Sequence, residues 1–109
     1  MNRLEKLRAI SPSDILIFDT ETTGLNVGGS RRDEILSLAV MNLDGDVLFC
    51  DLLRPSERKK WPKAESINGI SPSMVKDKKT IIERRSEIEP IFKSAKLYVC
   101  LLYTSDAAD

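Results

Sequence analysis

Asp19 and Glu21 stand one residue apart in the stretch I-L-I-F-D-T-E-T-T-G-L, Ile15 to Leu25. An apolar run leading into them predicts a strand, and a strand repeats every two residues, so both carboxylates point to one side of its end. Two carboxylates held that close repel one another unless one is protonated or a cation bridges them. Hard oxygen donors without nitrogen or thiolate favour Mg²⁺ or Mn²⁺. Two such ions, ~3.5–4 Å apart, hold the attacking and leaving oxygens of a phosphoryl displacement. Thr22-Thr23-Gly24 follows as a hydroxyl-bearing, flexible turn, and Leu25 offers an apolar wedge to a base. There is no histidine in the chain. That excludes Ser-His and Cys-His nucleophile pairs, His-ligated zinc and a histidine general base. Any chemistry here rests on carboxylates.

The elements that must position this pair follow from periodicity. Arg3 to Ile10 places Leu4, Leu7 and Ile10 at helical spacing, and Ser11-Pro12-Ser13 breaks it. Asp14 to Thr20 is predicted as a strand buried on both faces. Thr22 to Asp33 reads as a Gly-rich loop, Glu34 to Leu43 as a second strand, and Asp44-Gly45 as a hairpin turn into a third strand over Asp46 to Arg54. Pro62 and Ser71-Pro72 each open a brief helix. Thr80 with Glu83 has capping-box spacing for a helix carrying Ile81, Ile82, Ile88, Ile91 and Phe92, which Pro90 is expected to kink or end. Ala95 to Val99 is a fourth strand. The order predicts an α/β fold with a sheet of mixed direction.

At 109 residues, 41% apolar and 31% charged, the chain has the composition of one soluble globular domain. No apolar run approaches the roughly 20 residues of a membrane span, and the N-terminus lacks the apolar core of a signal peptide, so no membrane partner and a cytoplasmic location are expected. Cys50 and Cys100 lack ligand or pairing spacing and read as free thiols. The 17 basic and 17 acidic residues cancel. Arg54, Arg58, Lys59, Lys60 and Lys63 nevertheless cluster around Trp61, and Arg31-Arg32 follows the acidic motif. Such runs are usually solvated faces; beside a phosphodiester-cutting site the same cluster holds phosphates.

F-D-T-E-T-T-G-L resembles the first motif of the DEDD-type 3′–5′ exonucleases, the DnaQ-like proofreading family with a ribonuclease-H-like fold. The hairpin L-D-G-D-V-L-F-C-D-L-L-R-P resembles that family's next two strands with their closing R-P. P-K-A-E-S-I-N-G-I-S-P-S-M-V is similar to its segment P-x-A-x-x-I-H-G-I-T-x-E-M-V. The resemblance runs from about Asp14 to Val99. It implies Asp19 and Glu21 as catalytic metal ligands for two Mg²⁺ or Mn²⁺ ions. It implies Thr22, Thr23, Leu25 and Asn68 as contacts to the 3′-terminal nucleotide, with Asn68 standing where the family often has histidine. The partners implied are nucleic acid, with DNA 3′ ends favoured, and a DNA polymerase. A D-x-D-x-T phosphatase motif fits poorly, because the second acid is Glu and the spacing to Thr differs.

The resemblance also implies four acids and a general base. After such a strand the family continues with a turn like H-N-x-x-F-D and later H-x-A-x-x-D; this chain reads C-L-L-Y-T-S-D-A-A-D. Tyr103 and Asp106 do not match the sister pattern Y-x-x-x-D. That ten-residue tail resembles one translated frame of a transposase adapter used in sequencing libraries. Residues 1–99 are therefore read as the N-terminal part of a single exonuclease domain and 100–109 as a non-native tail. The ribonuclease-H-like sheet is then incomplete, with strand 95–99 an uncovered edge, one face lacking helices, and the chain alone inactive. The alternative is a non-catalytic nucleic-acid-binding or interaction module on the same fold, supported by the basic cluster around Trp61.

Overall fold

The apolar run before the acids becomes the first half of β1 (Ile15–Thr22), an inner strand of the sheet. The structure, a computed structural model, describes residues 2–24 and 33–101. Ahead of β1 come α1 (Arg3–Arg8) and a 3₁₀ turn over Pro12–Asp14. After it come β2 (Ile35–Asn42), β3 (Val47–Leu52), α2 (Pro62–Asn68), α3 (Pro72–Val75), α4 (Arg85–Lys93) and β4 (Leu97–Cys100). The strands lie in the order β3-β2-β1-β4. β1 pairs antiparallel with β2, β2 antiparallel with β3, and β1 parallel with β4. This is the mixed four-stranded sheet with helices that the periodicity predicts.

The β2–β3 hairpin turns at Asp44-Gly45, where Gly45 adopts φ 91°, a left-handed conformation that side chains resist. Asn42 closes the turn, its backbone N–H donating to the Asp46 carbonyl at 3.1 Å.

One sheet face is covered. Leu16, Leu38, Val40 and Phe49 pack with Leu53 and with Ile88 of α4, flanked by Phe18, Ile91 and Phe92. Phe18 and Phe92 meet edge to face with ring centroids 5.3 Å apart. Thr80 and Glu83 form the predicted capping box, with bonds of 2.8 and 3.2 Å. The α-helix proper starts later, at Arg85. The Arg84 N–H is shared between the carbonyls of Thr80 at 3.1 Å and Ile81 at 3.2 Å, and the Arg85 N–H reaches Ile82, three residues back, so the box closes a turn of mixed type ahead of the helix. Nor does Pro90 end the helix, which continues to Lys93. Proline forfeits one bond, to the carbonyl of Ser86, and Ser86 is an exposed residue.

The other face differs from the expectation of a strand buried on both sides. Ile17 is half-buried, its β2 partner Met41 and its β4 partner Val99 are exposed, and Ala39 and Cys50 beside them are exposed too. β4 forms the sheet edge, with Tyr98, Val99 and Leu101 exposed. Helix α1 is capped by Asn2 and Glu5 but buries none of its residues.

At the far end of β1 a bulge between Glu21 and Thr22 breaks the pairing with β2. Ile35 turns to the α4 side, and Leu36 turns to a second cluster with Trp61, Ile70 and Val75. Bulges re-aim side chains in this way and recur beside active sites.

Candidate active site

Asp19 and Glu21 project from the same side of β1, as the period of a strand requires, and both are half-buried. Their partners across the antiparallel ladder are small, Ala39 opposite Asp19 and Ser37 opposite Glu21, which leaves space beside both acids. The acids also lie past the point where β4 pairs with β1: Phe18 is level with Cys100, and the Leu101 N–H donates to the Phe18 carbonyl at 2.9 Å. The crevice outside the carboxyl ends of parallel strands is where open α/β sheets bind ligands.

Burial pushes the Glu21 carboxyl above its ordinary range, and the negative charge of Asp19 pushes it further the same way. Among the described residues neither acid has an ion-pair or hydrogen-bond partner that would oppose this. A pair of hard oxygen donors in that state gains by binding a divalent cation, which removes the repulsion. Among the described residues there is no group of three or more His, Cys, Asp or Glu side chains that could hold a metal ion.

The turn after the acids is fixed from outside β1. Thr22 Oγ1 donates to the Gly24 carbonyl at 2.6 Å. Buried Thr23 donates its hydroxyl to Asp33 Oδ1 at 2.8 Å and accepts the Glu34 N–H at 3.0 Å, while its own N–H donates to the Glu34 carbonyl at 2.9 Å. Gly24 packs so closely on Asp33 that a Cβ there would lie 2.8 Å from Oδ2. Both threonine hydroxyls thus serve the turn itself. Asn68, at the end of α2, donates from Nδ2 to the Thr22 carbonyl at 3.1 Å and accepts the Ile70 N–H at 2.9 Å. The structure therefore brings Asp19, Glu21, Thr22, Thr23 and Asn68 to one end of β1. Leu25 and Arg31-Arg32 lie outside the described residues.

Asp33 and Glu34 escape sequence reasoning as residues of this neighbourhood, and so does the commitment of Arg58, one of the basic cluster, to Asp33. Asp33 joins Thr23 to Arg58, whose guanidinium lies 3.0 Å from the same oxygen, Oδ1. Glu34 accepts three consecutive backbone N–H groups, from Ser56 at 2.6 Å, Glu57 at 3.0 Å and Arg58 at 2.8 Å. Burial works to raise the Glu34 carboxyl, yet these N–H donors and the Arg58 charge prevail and hold it below its ordinary value. Partners some 22 to 24 residues apart leave no periodic signal.

The basic cluster divides. Trp61 is buried and donates from Nε1 to the Ile70 carbonyl at 2.7 Å, so it is core rather than a surface aromatic. Arg54 pairs with Glu83 and Arg58 with Asp33. Lys59, Lys60 and Lys63 remain exposed. The cluster that supports a nucleic-acid-binding module therefore keeps its exposed lysines and loses its tryptophan to the core.

The sequence pattern of the RNase T exonuclease family matches residues 16–103. No curated protein matches the chain. Among solved structures, Exonuclease X in complex with 5′ overhanging duplex DNA is 31% identical over 79% of this chain, with a TM-score of 0.58. Cell-death related nuclease 4 (CRN-4) superposes with the same TM-score, 0.58, at 18% identity over 82% of the chain, a likeness of fold. The chain spans 47% of the first of these and 35% of the second.

Proposed function

The chain belongs to the RNase T exonuclease family, and from that premise we propose that it carries the first two acids of a divalent-metal 3′–5′ exonuclease site acting on DNA 3′ ends. The observation that carries this reading is the pair Asp19 and Glu21: same face, half-buried, small residues opposite, and no described side chain to neutralise them. The donor set consists of carboxylate oxygens and fits Mg²⁺ or Mn²⁺. Bound there, such ions would polarise the phosphodiester and supply an activated water. Asp19 and Glu21 would hold the ions, Thr22, Thr23 and Asn68 would frame the place of the terminal nucleotide, and the resemblance to the family adds Leu25 to these contacts. DNA as substrate and a DNA polymerase as partner rest on the likeness of residues 14–99 to the proofreading exonucleases. With two of the four acids and no histidine, the 109-residue chain alone is inactive in this proposal.

Mn²⁺ titration followed by the loss of the free-ion electron paramagnetic resonance signal tests the site directly. Binding should disappear in Asp19→Asn and Glu21→Gln. Equal Mn²⁺ binding in the wild type and in both variants would remove the foundation of the proposal. Incubating 5′-labelled single-stranded DNA with the chain and Mn²⁺ tests inactivity: a ladder of products shortened from the 3′ end, absent with Asp19→Ala, would overturn it.

A further inference from the structure

Residues 55 to 63 run from Pro55 to the first turn of α2 and are tied down at two places. At the first, Glu34 accepts the N–H groups of Ser56, Glu57 and Arg58, and Arg58 reaches back to Asp33. At the second, the buried Trp61 side chain bonds to the Ile70 carbonyl. Lys59 and Lys60 stand exposed between these anchors, and Lys63 follows in the first turn of α2. Pro55 and Pro62 bracket the segment and limit the conformations it must give up when it meets a ligand.

We infer that this anchored strap is a phosphate-binding surface, on which Lys59, Lys60 and Lys63 contact the backbone of the nucleic-acid strand behind the nucleotide held at Asp19 and Glu21. The inference rests on the exonuclease reading and adds to it the surface that grips the substrate. Its placement follows from shared atoms. Asp33 Oδ1 accepts from both Thr23 and Arg58, so the strap sits one carboxylate away from the turn that follows the acids. Three successive N–H groups form an anion-binding nest, and Glu34 fills it from within. The strap's own backbone is therefore spent on fixing it, and the capacity for external anions lies with its side chains. Most other described cations on the sheet and α4 face acids: Arg54 with Glu83, Lys78 and Arg84 with Asp51, Arg85 and Lys93 with Glu89, Lys96 with Asp14. Among the described residues Lys59, Lys60 and Lys63 have no such partner. Three uncompensated ammonium groups on a segment anchored to the turn that follows the acids suit a polyanion whose reacting end is bridged to the acids by cations.

Equilibrium binding of the 109-residue chain to fluorescein-labelled single-stranded DNA, in EDTA and across a KCl series, tests this. Wild type should bind with affinity that falls steeply with salt. The triple variant Lys59→Ala/Lys60→Ala/Lys63→Ala should bind about tenfold or more weakly at low salt, and its log–log salt slope should be shallower by about 2, at roughly 0.7 per phosphate contact. The double variant Lys76→Ala/Lys79→Ala, off the strap, should match wild type. No binding by the wild type, wild-type affinity and slope in the triple variant, or an equal loss in the double variant each overturns the inference. Loss of Mn²⁺ binding alone would sink the exonuclease reading while strap-dependent binding survived, so the two failures are distinguishable.

Discussion

The side-chain amide of Asn68 donates to the backbone carbonyl of Thr22 at 3.1 Å, joining the end of α2 to the end of β1 across 46 residues of sequence. The same side chain accepts the Ile70 N–H at 2.9 Å, so both of its polar ends are engaged. Asn68→Ala leaves two half-buried backbone groups without these partners and should cost about 1–2 kcal/mol in urea unfolding. Asn68→Asp keeps the acceptor for Ile70 and loses the donor to Thr22, so it should fall between wild type and Asn68→Ala. The single buried tryptophan, Trp61, reports the transition by its emission.

Glu21 predicts a gain rather than a loss. Burial and the Asp19 charge raise its folded pKa above the ordinary 4.5. The folded chain then holds this proton more tightly than the unfolded chain does. The stability linked to it is complete below 4.5 and is lost as pH rises through the folded value. In EDTA at pH 7, Glu21→Gln should therefore melt above wild type. Mn²⁺ should raise the Tm of wild type and leave that of the variant unchanged. A Glu21→Gln variant that melts lower in EDTA would show the carboxylate to be stabilising instead.

Glu34 predicts the opposite pH response. Burial opposes its charge, but three backbone N–H donors and Arg58 outweigh that and lower its folded pKa below 4.5. Its contribution is present above 4.5 and disappears as pH falls through the folded value. Glu34→Gln should lower stability at pH 7 and flatten the acid limb of the stability–pH curve. Denaturant midpoints measured from pH 3 to 7 check this, and parallel curves for wild type and variant would contradict it.

Gly24 has no room for a side chain. A Cβ at this position would lie 2.8 and 2.9 Å from the two Asp33 carboxylate oxygens. Gly24→Ala must displace Asp33, which holds Thr23 and Arg58, and should cost about 1–3 kcal/mol. Because the displaced turn follows the acids directly, Mn²⁺ binding should weaken as well. Wild-type stability with unchanged Mn²⁺ affinity would show that the turn can shift freely.

The sequence by itself determined everything that depends on local spacing. Alternation put Asp19 and Glu21 on one face before any neighbour was known, and Asp44-Gly45 announced the hairpin because few residues accept that turn. Thr80 and Glu83 announced their reciprocal bonds by a three-residue spacing. It did not place the α4 boundary, since whether a capped turn runs straight into a helix depends on how Ile88 and Phe92 seat against Phe18 and Phe49. Tertiary structure alone decided which charged side chains belong to the fold and which remain free. Trp61 became core while its lysine neighbours stayed outside, and Arg58 was committed to Asp33. Glu34, with no motif to distinguish it, became the anchor of a loop more than twenty residues away. Charges and hydrogen-bonding groups carry no period of their own; their partners are chosen by where the sheet and its bulge bring the backbone.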